Sequence, residues 1–243
     1  MTKLSGKTAI VTGASRGIGR AIAFALAKEG ASLVLTARGA DALAQTAAEL
    51  VGLGAEVVAE PGDIATSQHV DKLFALAQAR FGRLDLLVNN AGAFDGGPLE
   101  ELPVETWDRV LATNLRAPFL CTQAALRIMK PQRSGRIINI GSISAHRVRP
   151  NSAAYSASKH GLWGLTQVTA LEGRPYGITC GCLQPGNTLV PHRAASGKPE
   201  DAEPMMTPDQ IAEVALLMAT LPPHVEMLEA TVLPVAQLYV GRG

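Results

Sequence analysis

The sequence predicts a single-domain α/β fold, with a doubly wound and mostly parallel sheet of about seven strands and helices on both faces. Three observations lead to this prediction. Short β-branched and aliphatic runs alternate with helical segments along almost the whole chain. These runs are apolar on both faces, which is typical of a parallel sheet covered by helices. The composition shows no break, so residues 1–243 form one predicted domain.

Each element follows from its local pattern. The predicted strands are Thr8–Thr12, Ser32–Thr36, Glu56–Glu60, Leu84–Asn90, Arg136–Ile140, Ile178–Leu183 and Leu228–Leu233. The predicted helices are Ile18–Gly30, Asp41–Gly54, Ser67–Gly82, Val104–Lys130, one that contains Tyr155 and Lys159, and Ile211–Thr220. Pro118 lies inside the fourth helix and predicts a kink there. The proline-rich stretch 187–206 has no helix or strand pattern and is interpreted as a substrate lid.

Composition excludes several classes of protein. The net charge is +1 and aromatic residues are scarce, which argues against a nucleic-acid partner. No apolar run approaches the ~20 residues that span a bilayer, and the first residues lack the apolar core of a signal peptide. Cys121, Cys180 and Cys182 are interpreted as reduced, buried thiols of a cytoplasmic protein. The histidines are scattered, so no metal site is expected.

The strongest local signal is "TGASRGIG", residues 12–19, which joins the first strand to the first helix. Glycines at 13, 17 and 19 let the backbone turn tightly and approach a ligand. A helix N-terminus offers free N–H groups and the positive end of its dipole to phosphate. The segment therefore predicts a nucleotide-binding loop.

The end of the second strand indicates which nucleotide is bound. An acidic residue there would bind the ribose 2′-hydroxyl of NAD, whereas an arginine would accept the 2′-phosphate of NADP. Ala37 occupies the acidic position and Arg38 follows it, while Arg16 of the glycine loop is able to point to the same place. We therefore expect NADP(H) to be preferred, with NAD(H) as the alternative.

Taken together, the motifs resemble the short-chain dehydrogenase/reductase family, in its NADP(H)-preferring form. The segments that carry the resemblance are "TGASRGIG" (12–19), "GDI" (62–64), "NNAG" (89–92) and "PG" (185–186). Asn114, Ser142, Tyr155 and Lys159 fall where the family keeps its catalytic tetrad. The resemblance covers residues 7–186 and continues more weakly to residue 233. It implies a Rossmann fold, an oxidoreductase activity and a homo-oligomer, either a dimer or a tetramer.

The resemblance also implies the cofactor contacts. Asp63 would contact the adenine amine, Pro185 and Gly186 would cover the nicotinamide, and Thr188 would bind its amide. The full set of implied cofactor-binding residues is Gly13, Ser15, Arg16, Gly17, Ile18, Gly19, Arg38, Asp63, Ile64, Asn90, Ala91, Gly92, Tyr155, Lys159, Pro185, Gly186 and Thr188.

The residue types of the tetrad suit carbonyl reduction and its reverse. The reaction needs a hydride from the nicotinamide and a proton for the developing alkoxide. Free tyrosine holds its proton too tightly near neutral pH, but a lysine ammonium one helical turn away stabilises the tyrosinate. Tyr155 is therefore the expected acid/base, and Lys159 tunes it and binds the nicotinamide ribose. Ser142 would hydrogen-bond the substrate oxygen, and Asn114 would position a water next to Lys159.

The sequence defines the substrate only as a small carbonyl compound or secondary alcohol. The pocket should be lined by Phe94, Asp95, residues 146–151 and the lid. The basic segment "HRVRP" (146–150) either attracts an acidic substrate or is a solvated loop. A 3-oxoacyl-carrier-protein reductase is a narrower alternative, which the unusual C-terminal tail disfavours. A cofactor-binding scaffold without turnover is an alternative of another class, which the intact tetrad disfavours.

Overall fold

The computed structural model describes residues 2–190 and 204–239. Its strands are β1 (Thr8–Thr12), β2 (Ser32–Ala37), β3 (Val57–Pro61), β4 (Leu86–Asn89), β5 (Gly135–Ile140), β6 (Ile178–Pro185) and β7 (Glu229–Val232). Its α-helices are α1 (Gly17–Lys28), α2 (Ala40–Gly52), α3 (Ser67–Phe81), α4 (Val104–Leu111), α5 (Ala117–Gln132), α6 (Ala153–Gly173) and α7 (Pro208–Thr220). The predicted α/β Rossmann fold is confirmed.

The seven strands form one sheet in the order β3–β2–β1–β4–β5–β6–β7. All six neighbouring pairs are parallel, so the sheet is wholly parallel in the described part of the chain. The direction of winding reverses between β1 and β4. In open parallel sheets, ligands bind at the carboxyl ends of the strands beside such a reversal. The loops after β1 and β4 carry the first and third motifs along the chain, so the topology places them together.

Two apolar cores cover the two faces of the sheet. Along β1, Val11 packs with Ile22 of α1 and Ile211 of α7 on one face. Ile10 packs with Leu73 of α3 and other apolar residues on the opposite face. Because successive strand residues point to opposite faces, a strand between two helical layers is apolar throughout. This explains why its whole length reads as an apolar run.

The long helix expected over residues 104–130 is corrected in two respects. It is divided into α4 and α5 by a π-helical turn, Ala112–Arg116. Pro118 is the second residue of α5, so the irregularity lies directly upstream of the proline and not at it. Pro118 has no N–H to donate to the carbonyl of Asn114 four residues earlier, which favours a local rearrangement of the helical bonds there.

The predicted lid is described only at its two ends, because residues 191–203 lie outside the described range. Leu189 N–H donates to the carbonyl of Met206 at 2.8 Å, and Met206 N–H donates to the carbonyl of Asn187 at 2.9 Å. These bonds hold the two ends together beside the end of β6. In the described residues, none of the helices is both long and apolar enough to span a bilayer.

Candidate active site

The glycine loop after β1 needs two glycines for backbone conformation and one for space. Gly13 and Gly17 have φ values of +66° and +56°, in the left-handed region. Gly19 is different: a Cβ there would lie 2.2 Å from Asn90 Nδ2 and 2.4 Å from the carbonyl oxygen of Gly13. A side chain at position 19 would therefore push the glycine loop and the NNAG segment apart.

Asn90 and Thr12 join those two segments directly. Asn90 Nδ2 donates to the carbonyl oxygens of Thr12 at 2.9 Å and Gly13 at 3.2 Å. In return, Thr12 Oγ1 accepts hydrogen bonds from the N–H groups of Asn90 and Ala91, both at 2.9 Å. Four hydrogen bonds thus fix the carboxyl end of β1 against that of β4. The sequence analysis did not identify Thr12 as a site residue.

The N-terminus of α1 is suited to an anion. Arg16 is the N-cap residue, and its side chain makes no capping hydrogen bond to the first-turn amides. The first turn also contains no acidic residue. The amides of Gly17, Ile18 and Gly19 therefore keep the positive end of the helix available, beside the half-buried Ser15 and the exposed Arg16. These residues fit the pyrophosphate of a dinucleotide.

Arg38 directly follows β2, and Arg16 lies in the glycine loop that contacts the end of this strand. The Ala14 N–H donates to the carbonyl of Thr36 at 3.2 Å, which draws the glycine loop to this strand end. Both arginines are exposed, and neither has an ion-pair or hydrogen-bond partner for its side chain among the described residues. Two guanidinium groups and no carboxylate at this position suit a phosphate monoester.

The turn after β3 holds the predicted adenine contacts. Asp63 Oδ1 accepts a hydrogen bond from Ala65 N–H at 3.0 Å, and Ile64 is buried. Beneath the turn lies His69, whose Nε2 is 2.8 Å from Thr36 Oγ1. A Cβ on Gly62 would be 2.2 Å from His69 Nδ1, so the glycine is required by the imidazole. Burial lowers the pKa of His69, since desolvation disfavours the charged ring.

Tyr155 and Lys159 share one face of α6. Lys159 Nζ lies 5.6 Å from the centroid of the Tyr155 ring, within the range of a cation–π interaction. Lys159 is buried, and its Nζ donates to the carbonyl oxygen of Ile140, the last residue of β5, at 2.8 Å. Ser142 comes two residues after Ile140. The three predicted residues therefore meet at the carboxyl end of β5.

Ser142 is fixed by two hydrogen bonds. Its Oγ accepts from the Ser144 N–H at 3.1 Å, and its own N–H donates to Gln184 Oε1 at 2.7 Å. The first bond uses a lone pair of the hydroxyl and leaves its proton available for another acceptor. Gln184 lies directly before the predicted Pro185–Gly186 motif, and the sequence analysis did not identify it.

Asn114 lies in the π-helical turn and is almost fully buried. Its Oδ1 accepts from the Ala93 N–H at 2.7 Å, and its Nδ2 donates to the Ala93 carbonyl at 2.8 Å. Nδ2 also donates to Ser158 Oγ at 3.1 Å, and Ser158 Oγ donates to the carbonyl of Tyr155 at 2.6 Å. Asn114 therefore connects the segment after Gly92 with the helix that carries Tyr155.

The Pro185–Gly186 segment is held by the C-terminal tail. Gly186 N–H donates to the carbonyl of Val232 at 2.8 Å. The Gln237 Oε1 accepts from the Asn187 N–H at 2.8 Å, and a Cβ on Gly186 would lie 2.2 Å from the same oxygen. Thr188 is buried and its hydroxyl donates to the Gly186 carbonyl at 3.1 Å. The sequence analysis did not identify Gln237.

The predicted pocket wall is formed in part. The ring of Phe94 meets the ring of Tyr155 edge-on, with 5.1 Å between centroids, and Phe94 is exposed. Asp95 instead forms a surface ion pair with Arg109 at 2.5 Å. In the basic segment, Arg149 donates to Asn187 Oδ1 at 3.2 Å.

Two other residues of the basic segment, His146 and Arg147, contact β7 and the C-terminal tail. The guanidinium of Arg147 lies over the ring of Tyr239, 5.3 Å from its centroid. His146 pairs with Glu229 of β7. These contacts hold His146 and Arg147 against β7 and the tail, although all five residues of the segment are exposed.

The cysteines carry no chemistry in this structure. Cys121, Cys180 and Cys182 are all buried and unpaired. Burial raises the pKa of Cys121 to about 12 and that of Cys182 to about 12, so neither forms a thiolate near neutral pH. Among residues 2–190 and 204–239, no cluster of three or more metal-ligating side chains is found.

Comparison with known proteins agrees with this geometry. Residues 7–201 match the model of the short chain dehydrogenase family. An uncharacterized oxidoreductase of Staphylococcus aureus (strain N315) is 38% identical over 237 residues, which cover 97% of this chain and 100% of that protein.

Solved structures are similar over nearly the full length. A metagenomic short-chain oxidoreductase in complex with NADP has a TM-score of 0.84 and 37% identity, over 96% of this chain and 99% of its own. A dehydrogenase/reductase from Sinorhizobium meliloti 1021 has a TM-score of 0.85 and 36% identity, over 95% and 94% of the two chains. The chain therefore belongs to the short-chain dehydrogenase family, whose members are oxidoreductases that use a nicotinamide cofactor.

Proposed function

We propose that the protein is an NADP(H)-dependent oxidoreductase that interconverts a small carbonyl compound and the corresponding secondary alcohol, with Tyr155 as the acid/base. One observation carries the proposal. Tyr155, Lys159 and Ser142 meet at the end of β5, at the same edge of the sheet as a glycine loop that fits a dinucleotide pyrophosphate. A proton donor and an anion site at one sheet edge suit hydride transfer to a carbonyl group.

When bound, the cofactor supplies or accepts the hydride. The chain's own groups handle the substrate oxygen. In the reducing direction, the Tyr155 hydroxyl gives its proton to that oxygen as negative charge develops on it. The Ser142 hydroxyl donates a hydrogen bond to the same oxygen, since the bond that its Oγ accepts from the Ser144 N–H leaves its proton available. In the oxidising direction, Tyr155 takes the proton back.

Lys159 and Asn114 are proposed to serve Tyr155. The ammonium of Lys159 lies 5.6 Å from the centroid of the Tyr155 ring, and it would bind the nicotinamide ribose with the N–H groups that the Ile140 carbonyl does not engage. The backbone carbonyl of Asn114 lies in the π-helical turn, where Pro118 has no N–H to offer it. This carbonyl is proposed to hold a water beside Lys159, through which the proton reaches solvent.

Two exposed arginines support the proposed preference for NADP(H). The side chains of Arg16 and Arg38 have no described partner at the end of β2, and the acidic position is taken by Ala37. The NADP complex of the metagenomic neighbour agrees with this assignment. Asp63, Ile64 and Asn90 are proposed to line the adenosine half of the site.

The nicotinamide half of the site is assigned to the ends of β4 and β6. Ala91 and Gly92 follow Asn90 on one side, and Pro185, Gly186 and Thr188 lie on the other. The fixed Gly186 carbonyl and Thr188 hydroxyl suit contact with a carboxamide. The substrate lid at about 187–206 stays a proposal, because residues 191–203 lie outside the described range.

A homo-oligomer is proposed from an apolar groove between α4, α5 and α6. This open groove of about 520 Å³ is lined by Leu111, Leu115, Phe119 and Leu165 among others. Phe119 and the nearby helix residues Val168 and Leu171 are exposed. Apolar surface of this kind on a helical face is typical of a subunit interface. The three reduced thiols are consistent with a cytoplasmic protein, which is the proposed location.

The test is the Tyr155→Phe variant, which removes the hydroxyl and leaves the ring against Phe94. We expect turnover of a panel of ketones and β-keto esters with NADPH to fall by about 10²-fold or more. NADPH binding, followed by nicotinamide fluorescence, should stay within about twofold of wild type, since no phosphate contact is changed. Full activity in the variant would contradict the assignment of Tyr155.

The two alternatives have distinct outcomes in the same assay. A 3-oxoacyl-carrier-protein reductase would reduce 3-oxoacyl thioesters much faster than the other ketones of the panel. A scaffold would bind NADPH but reduce nothing, and Tyr155→Phe would not change its behaviour. The hydrogen bond that fixes the Ser142 backbone and the burial of Lys159 favour an enzyme over a scaffold without turnover.

A further inference from the structure

Gln184 is the last residue before the Pro185–Gly186 motif, and it is fully buried. Its Oε1 accepts from the backbone N–H of Ser142 at 2.7 Å. Its Nε2 donates to Glu229 Oε1 at 3.2 Å. The two partners demand opposite ends of the amide, so they fix a single orientation of the side chain. A buried side chain with both ends bonded forms a rigid link between its neighbours.

The neighbouring backbone makes room for this link. A Cβ on Gly141 would lie only 2.0 Å from Gln184 Oε1. Any other residue at position 141 would therefore displace the glutamine from Ser142. Gly141 is also tied to the same strand, because its N–H donates to the Leu183 carbonyl at 2.7 Å. The absence of a side chain at Gly141 thus leaves the space that the Gln184 amide occupies.

The link continues to the start of the basic segment, residues 146–150. Glu229, on edge strand β7, pairs with His146. The imidazole of His146 also packs edge-on against the ring of Trp163 on α6, with 6.0 Å between centroids. Ser142 and His146, four residues apart, are therefore held to β6, β7 and α6 by one continuous set of contacts.

We propose that Gln184 is a positioning residue for Ser142: it holds the serine backbone to β7 through Glu229, which also anchors His146 at the start of the basic segment. This inference deepens the proposed function and rests on the assignment of Ser142 given above. Gln184 touches neither substrate nor cofactor in this scheme. Its effect on turnover passes through Ser142, whose Oγ must sit within hydrogen-bond distance of the substrate oxygen.

The test is a double-mutant cycle with Gln184→Met and Ser142→Ala. Methionine fills the space of glutamine but forms neither hydrogen bond. In the wild-type background, we expect Gln184→Met to lower kcat by about tenfold, while the Kd for NADPH stays within about twofold. In the Ser142→Ala background, the same change should lower kcat by less than about twofold, because its effect requires the serine hydroxyl.

Two further variants separate positioning from a general loss of stability. Gln184→Glu keeps an acceptor for Ser142 but sets a second carboxylate beside Glu229, so kcat should be higher at pH 5.5 than at pH 8 relative to wild type. Glu226→Gln is the matched control. Glu226 Oε1 accepts from the N–H of Cys180, which lies on β6 like Gln184 but is not bonded to Ser142. Its kcat should match wild type.

The outcomes are distinguishable from a failure of the proposed function. If wild type reduces no ketone of the panel, the proposed function fails. In that case the exchange rate of the Ser142 amide, measured by hydrogen exchange, still tests the link, because Gln184→Met should accelerate it at least about tenfold. An unchanged kcat and an unchanged amide exchange rate would overturn the inference. Equal losses of kcat in both backgrounds would also overturn it.

Discussion

Asn114 binds Ala93 at both ends of its side-chain amide, with Oδ1 accepting from the N–H at 2.7 Å and Nδ2 donating to the carbonyl at 2.8 Å. The two residues are 21 positions apart in sequence. The side-chain amide thus binds the N–H and carbonyl of Ala93 as a neighbouring strand would, although Ala93 lies outside the sheet. It fixes the backbone that follows Ala91 and Gly92, which belong to the proposed nicotinamide half of the site.

Replacement of Asn114 by alanine should therefore affect stability as well as turnover. The half-buried N–H and carbonyl of Ala93 would lose their partners, which should lower the free energy of unfolding by about 1 kcal/mol. Urea denaturation and ketone reduction with NADPH measure the two effects. Unchanged stability would show that water replaces the amide at no cost.

Pro118→Ala is a complementary change at the same π-helical turn. It restores an N–H four residues after Asn114 and lets the helix close on the Asn114 carbonyl. We expect stability equal to or above that of wild type, by up to about 1 kcal/mol, together with lower turnover. A gain in stability together with a loss of turnover would show that Pro118 acts by keeping the Asn114 carbonyl free of a helical hydrogen bond. Wild-type turnover in the variant would contradict the proposed water site.

Cofactor preference should depend on Arg16 and Arg38 separately. Each guanidinium would make charge-assisted hydrogen bonds to the 2′-phosphate, so Arg38→Ala should weaken NADPH binding by about tenfold or more. NADH lacks that phosphate, and its Kd should change less than about twofold. Fluorescence titration with both cofactors measures the difference, with Arg80→Ala on the far end of α3 as a control. Equal effects on both cofactors would contradict the phosphate assignment.

His69 should make the protein less stable in mild acid. Burial lowers its pKa in the folded state, so below about pH 6.5 the unfolded chain takes up this proton more readily than the native protein. The contribution of neutral His69 to the free energy of unfolding should therefore be fully present above that pH. It should decline as the pH falls below it. The nearby charges of Glu60 and Asp63 oppose the shift, and that of Lys72 reinforces it.

The measurement compares urea unfolding from pH 7.5 to 5 in wild type and His69→Gln. Glutamine retains a hydrogen-bonding group for Thr36 but takes up no proton, so the decline should be smaller in this variant. His224→Gln, at an exposed position, should decline like wild type. Parallel curves for wild type and His69→Gln would contradict the prediction.

Arg149 decides between the two interpretations of the basic segment. Among the described residues, the Arg149 guanidinium makes one side-chain hydrogen bond, to Asn187, so most of its N–H groups are available at the side of the Pro185–Gly186 segment. If acidic substrates are preferred, Arg149→Met should raise KM for a keto acid by about tenfold and leave KM for the matching neutral ketone unchanged. Equal KM values for the acid in both proteins would favour a purely structural segment.

The motif residues could be predicted because each signal is local. Gly13, Gly17 and Gly19 lie within seven residues, and Tyr155 and Lys159 are separated by one helical turn. The sequence of strand and helix patterns was sufficient for the fold because each strand is apolar on both faces. The missing element was the π-helical turn, since Pro118 indicates a disturbance but does not fix its position.

The supporting residues could not be predicted, because their partners are distant in sequence. Gln184 is 42 residues from Ser142, His69 is 33 from Thr36, and Gln237 is 50 from Asn187. A glutamine at the end of a strand and a histidine on a helix have no pattern of their own. Their function becomes visible only when the sheet has brought the strand ends side by side.

The strand order also determines when the site is completed during synthesis. β1 is made first but occupies the interior of the sheet, and its partner β4 follows more than 70 residues later. Ribosomes add about 5–20 residues per second, so the glycine loop waits several seconds for Asn90. Glu229 and Gln237 come later still, from the outermost strand and the tail. In a nascent chain, Asn90 would thus bind the glycine loop before Gln184 and Glu229 fix Ser142. Catalytic competence would be among the last properties that the chain gains.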